Sequence, residues 1–328
     1  MVFKRLLGSL GVGGPTVDTV LDPGAARPGA ALTGRVHLRG GSADFDIEHI
    51  ALELVARVEA EHADGESEGA VAFERFTVGG GFRLAEGAEH TVPFSVPLPW
   101  ETPVTELYGQ DLGIVLGVRT ELAVAGARDK GDLDRLTVGP LPAQEAVLEA
   151  LGQLGFGFRS ADLEYGRIGG TGQQLPFYQE IELTPASQYA HQVNEIELTF
   201  LAHPGGVEVV LEADKRGGLF TEGHDALARF TVGHQDARDW STEVDGWVRQ
   251  LIDHRASYGT HAAYGHHDAG HHPGHHSGGP GVGTAVAAGA AGLAVGVAGG
   301  LVAAEVVDEV GDFFEGDEGD EGDEGDEG

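Results

Sequence analysis

From Val17 to Val138 the apolar side chains recur at every second position. Leu32, Gly34, Val36 and Leu38 alternate with Thr33, Arg35, His37 and Arg39, which is the pattern of a strand with one face in a core and one in water. Ile50, Leu52 and Leu54 repeat it, as do Val92, Phe94, Val96 and Leu98, and then Leu116, Val118, Thr120, Leu122 and Val124. Turn residues separate these runs: Gly40 with Gly41, Asp64 with Gly65, Gly79 to Gly81, and Asp129 to Asp132. Several short strands at this spacing predict a β-sandwich rather than alternating strands and helices.

After Pro140 and Pro142 the period changes. Val147, Leu148, Leu151 and Leu154 fall at helical spacing within Gln144–Leu154, and Gly155 suits the C-terminal cap. Strand patterns resume over Phe156–Tyr165, Phe177–Leu183, Val193–Leu201, Val207–Ala213 and Ala226–Val232. A last amphipathic helix is predicted with Ser241 or Thr242 as its cap and Val244, Trp247, Val248 and Leu251 on one face. The expectation is a mainly β chain of two sandwich lobes, residues 1–139 and 140–253, with a few short helices. Residues 2–10 read as one such helix, packing Phe3, Leu6, Leu7 and Leu10; no secretory signal is evident there, so the chain is expected in the cytoplasm.

Charge changes the picture. The 328 residues carry 53 acids against 20 bases, for a formal net charge of -33, and no Cys. Such a surface repels phosphate backbones, which excludes a nucleic-acid partner. The absence of Cys removes disulfides, thiolate metal sites and cysteine nucleophiles. Only Lys4, Lys130 and Lys215 are lysines. An acidic, Lys-poor composition is expected of a protein kept soluble in concentrated salt, and so of a halophilic archaeon.

The ordered segments FKRLLGSLGVGGPTVDTVLD, PGAALTGRVHLRGGSADFDIEHIALELVARVE, VPFSVPLPWETPVT and VRTELAVAGARDKGDLDRLTV resemble the SpoOM family of sporulation-control proteins. LEALGQLGFGFRSADLEYG and LPFYQEIELTP extend the resemblance to about residue 250. It implies two arrestin-like lobes and a non-enzymatic regulator or adaptor that binds protein partners. It supplies no catalytic residues. The tail beyond about Leu251 departs from the family pattern.

That tail has three parts. Residues 254–280 are a His/Gly-rich linker, in which His266, His267, His271, His272, His275 and His276 are candidate ligands for a divalent transition metal. A metal-binding or metal-responsive role through this tract is therefore the alternative to an adaptor. Residues 281–304 carry no charge and place Ala288, Gly292, Gly296, Gly300 and Ala304 at every fourth position, a face on which helices approach closely. Membrane association and soluble self-association both fit that stretch. Residues 305–328 are an acidic tail expected to be disordered. No cofactor is implied, and the chain has no Gly-x-Ser-x-Gly elbow, phosphate loop or His-Glu-x-x-His motif. The halophile reading has a direct check: dialysis of the folded protein into low salt unfolds it, seen as loss of near-UV circular dichroism, whereas full stability there overturns the reading.

Overall fold

The computed structural model describes residues 13–62, 65–213 and 226–263, and these are mainly β. The first half carries β1 (Thr16–Leu21), β2 (Ala31–Arg39), β3 (Phe45–His62), β4 (Gly65–Gly79), β5 (Phe82–Leu84), β6 (Glu89–Pro97), the short pair β7 (Glu106–Leu107) and β8 (Gln110–Asp111), β9 (Leu116–Val124) and β10 (Lys130–Arg135). The second half carries α1 (Pro142–Leu154), β11 (Gly157–Tyr165), β12 (Phe177–Thr184), β13 (Ile196–His203), β14 (Gly206–Ala213), β15 (Ala226–Val232) and α2 (Trp240–Ala263).

Two sheets form the first core. The small one has the order β1-β2-β6, and its inward residues Leu32, Val36, Leu38, Phe94 and Val96 meet Ile50, Leu52, Leu54, Val118 and Leu122 of the large one. The large sheet runs β10-β9-β3-β11-β12-β13-β14-β15, with β4 and β5 also paired to β3. It passes through both halves of the chain. The passage is narrow, since β3 and β11 are joined in parallel register at Glu59 and Glu164, while among the described residues the other ladders between these strands are antiparallel.

In the second half α1 and α2 build the layer opposite the sheet. Val147 and Leu151 of α1 and Val244, Trp247, Val248 and Leu251 of α2 pack with Ile181, Leu183, Ile196, Leu198, Val209 and Leu211. Removing these faces from water contributes about 1.5–3 kcal/mol for each large side chain. Gly155 ends α1 with φ 95°, a left-handed conformation that glycine adopts without Cβ strain. Asp239, rather than Ser241 or Thr242, caps α2: its carboxylate accepts from the Thr242 N–H at 3.2 Å and the Thr242 hydroxyl at 2.8 Å. β13 begins at Ile196 rather than Val193, because residues 186–193 are wound into a turn in which Tyr189 N–H donates to Ala186 O at 2.8 Å.

β3 is longer than its alternation indicates. Register shifts in its ladder with β4 follow Ile50 and Leu54, and Ala51, Glu53 and Val55 are buried along with their inward neighbours. Glu53 is 7% exposed and is held there by ion pairs to Arg75 and Arg119. The amphipathic helix expected at residues 2–10 lies outside the described residues. Among the described residues no helix is long and apolar enough to cross a membrane.

Phe177 is 1% exposed and meets Phe73 of β4 edge-on, with ring centroids 5.4 Å apart, so one ring ties the second half to the first core. Phe177→Ala is expected to cost about 3–5 kcal/mol, the usual cavity and transfer cost for a buried Phe, read as a lower urea midpoint.

Candidate functional site

The side chains on the sheet face away from α1 and α2 are mostly acidic. Cross-strand register places Asp162 opposite Glu180, Glu164 opposite Tyr178, and Glu182 opposite Glu197, which in turn pairs with Glu212. Because strand side chains alternate, Ser160, Asp162 and Glu164 share one face of β11, as Tyr178, Glu180 and Glu182 share one face of β12. Glu59 joins the band from β3 at the passage between the two halves. Tyr178, Leu201 and Val210 form a small apolar cluster with Ile168 on the same side.

Burial makes this band costly. Glu180, Glu197 and Glu212 are each 4–5% exposed. Partial compensation comes from Ser160, whose hydroxyl donates to Glu182 at 2.7 Å, and from Arg159, 3.5 Å from Glu182 and 2.7 Å from Glu195. Asp162 is left worse placed, with an Oδ1 that is shielded from solvent and accepts no hydrogen bond. Burial pushes its carboxyl up to about 7, and Glu180, Glu59, Glu164 and Glu182 add to the shift. Burial, with Glu180 and Glu164 beside it, also raises the Tyr178 hydroxyl. Oxygens of Asp162, Glu164 and Glu180 lie within 4.8 Å of one another, a spacing at which hard cations take oxygen ligands and at which a shared proton also relieves repulsion.

A loop from the first half locks onto the edge of this face. The Glu101 carboxylate accepts from Gln174 N–H and Leu175 N–H, each at 2.8 Å. Gln179 accepts from Val104 N–H at 2.9 Å and donates to Val104 O at 2.8 Å. Trp100 packs on the second core and stacks on His234 with centroids 4.9 Å apart, and His234 Nε2 donates to His203 O at 2.8 Å. Gly29 lies beneath the Trp100 ring, where a Cβ would come within 2.5 Å of it. The two halves are therefore held by backbone-directed polar contacts around one aromatic anchor.

With this geometry, the comparisons with known proteins are specific. The model of the SpoOM protein family matches residues 3–217. The chain belongs to the SpoOM family. The sporulation-control protein spo0M of Bacillus subtilis (strain 168) is 39% identical over 263 residues, covering 77% of this chain and 98% of that one. The crystal structure of Spo0M from Bacillus subtilis superposes with a TM-score of 0.64 at 32% identity, covering 75% of this chain and 100% of the other.

The candidate residues of the tail, the tryptophans and His203 have different places. His266, His267, His271, His272, His275 and His276, the candidate metal ligands, lie outside the described residues, as do Ala288, Gly292, Gly296, Gly300 and Ala304. Trp100 is a contact between the halves, Trp247 is core, stacked on Phe230 at 4.7 Å, and Trp240 lies under the Arg238 guanidinium at 5.4 Å. His203 is a turn residue whose Nδ1 accepts from Gly205 N–H at 3.1 Å. The acidic band does not stand out in the sequence because carboxylates are spread along the whole chain. Its signal was acid at alternate positions in consecutive strands, Asp162 with Glu164 and Glu180 with Glu182.

A carboxyl raised on folding binds more protons folded than unfolded. Its stabilising share is complete below the unfolded value of about 4 and is lost as pH rises through about 7. Asp162→Asn removes that dependence, so the variant loses less stability than the parent between pH 5 and 8. The difference in slope is at most about 1.4 kcal/mol per pH unit, read from urea midpoints.

Proposed function

We propose that this SpoOM-family chain is a non-enzymatic regulatory adaptor that binds a protein partner by strand addition. The observation that carries the reading is the end of the ten-stranded sheet. Among the described residues β15 pairs with β14 alone, which leaves one row of backbone donors and acceptors along Ala226–Val232. Such an edge is a template for another strand unless something covers it. Leu227 is 37% exposed, giving an incoming strand an apolar contact beside the backbone row. The relationship to the Bacillus subtilis sporulation-control protein supports a regulatory rather than a catalytic role.

The arrestin-like reading fits the same picture. Two β-rich halves meet along the Trp100 to Val104 loop and together offer sheet edges to a partner. The host of a strongly acidic chain is a salt-loving organism, and there the regulated process need not be sporulation itself.

A photoreactive residue placed at Leu227 or Thr231 is expected to give a discrete protein adduct in cells, while the same residue at exposed Glu149 on α1 gives none. Equal labelling at both places, or none at either, removes support for strand addition at β15.

A further inference from the structure

β10 is an edge strand whose inner face is charged. Asp132 and Asp134 stand opposite Thr120 and Val118 of β9, both fully buried, so the two carboxyl groups point into the margin of the first core. β1 comes up against them from the small sheet. Thr19 N–H donates to Asp132 Oδ2 at 2.5 Å, and the Thr19 and Thr120 hydroxyls are hydrogen-bonded at 2.6 Å. Thr19 is 1% exposed. A side-chain carboxylate thus takes the place that a neighbouring strand's carbonyl would fill, and it closes the sandwich along this margin.

Asp134 lies behind that contact. Its Oδ2 is shielded from solvent and accepts no hydrogen bond, and its carboxyl group reaches Asp132. Other charged groups lie close by. Asp18 faces it from β1 and adds to the repulsion, and Lys130 shares the inner side of β10 at the start of the strand. Arg135 is turned to Asp111 at 2.5 Å, and Arg119 on β9 points to the opposite face, where it holds Glu53. Two carboxyl groups in contact, one of them with a shielded oxygen, are stable when one proton lies between them and repel when both ionise. Burial, with Asp132 and Asp18 close by, pushes Asp134 up to about 7.

We propose that Asp132 and Asp134 form a proton-dependent latch on the β1 edge, closed while the pair shares a proton and released when both are ionised. Release turns Asp132 toward water, deprives Thr19 N–H of its acceptor and loosens β1 from β10. The sign follows from where the proton is held: closure is complete at acid pH and weakens as pH rises through the titration of the pair.

Amide hydrogen exchange of Thr19 in the full chain, at fixed salt and corrected for intrinsic base catalysis, tests the latch. Between pH 6 and 8 the protection of Thr19 is expected to fall about tenfold in the parent, the change in closing equilibrium for one carboxyl titrating near 7 when closed and near 4 when open. Asp134→Asn, whose amide N–H donates to Asp132 as the acid form does, should hold its protection constant over that range. Constant protection in the parent, or an equal fall in both proteins, overturns the proposal. Carbon-13 carboxyl titration of the parent covers the case in which the variant does not fold. A shared titration near neutrality supports the latch, and two ordinary titrations below about pH 5 overturn it.

Discussion

Glu59 of β3 and Glu164 of β11 are paired where two sheets become one, and the second half of the molecule is placed by that joint. A parallel join supported by one residue pair is weak by itself. Its neighbours therefore supply the strength: the Phe73 and Phe177 rings on one side, and the Glu101 and Gln179 hydrogen bonds to backbone groups on the other. Backbone-directed contacts of this kind fix orientation more than they add stability, since each net hydrogen bond contributes about 1 kcal/mol and depends on its angle. The two cores are consequently set in one relative pose while keeping separate interiors.

The electrostatics oppose this arrangement in the same places. In a chain with a net charge of -33, the acids on exposed faces are screened by salt and water, whereas those next to the joint are not. The outer face of β3, β4 and β9 solves the problem with arginine, since Arg75 and Arg119 share Glu53, and Arg75 also holds Glu121. The band around Asp162 has fewer cations. Arg159 reaches its margin, and burial beside Glu180 pushes the Asp162 carboxyl up to about 7, so this one group reduces repulsion by retaining its proton near neutral pH.

Much of this architecture was legible in the chain, because burial on one face forces period two and the helical runs break it. β2, β6, β9, α1 and the strands of the second half sit close to where alternation placed them. β4 was not legible: Glu66, Ser67, Glu68 and Gly69 have no apolar partner positions, and the strand exists because β3 gives it a template. β10 carries a turn signature over Asp129 to Asp132 for a similar reason, since its inward positions are aspartates rather than aliphatics. The acidic band was illegible as a site because only the register brings Asp162, Glu164 and Glu180 from two strands into one place. Alternation reports which way a residue faces, and it is silent about its neighbour across the ladder.

At roughly 3.3 Å per residue, the 18 residues of β3 span about 60 Å. One end lies among the buried residues of the first sandwich, and the other borders β11 in the second half. A hydrogen-bonded strand of that length resists stretching and bends only with its neighbours. Residues near one end of a single continuous strand thus pair inside the first sandwich while residues near the other end pair with the second half, so the two cores share one backbone as well as one sheet.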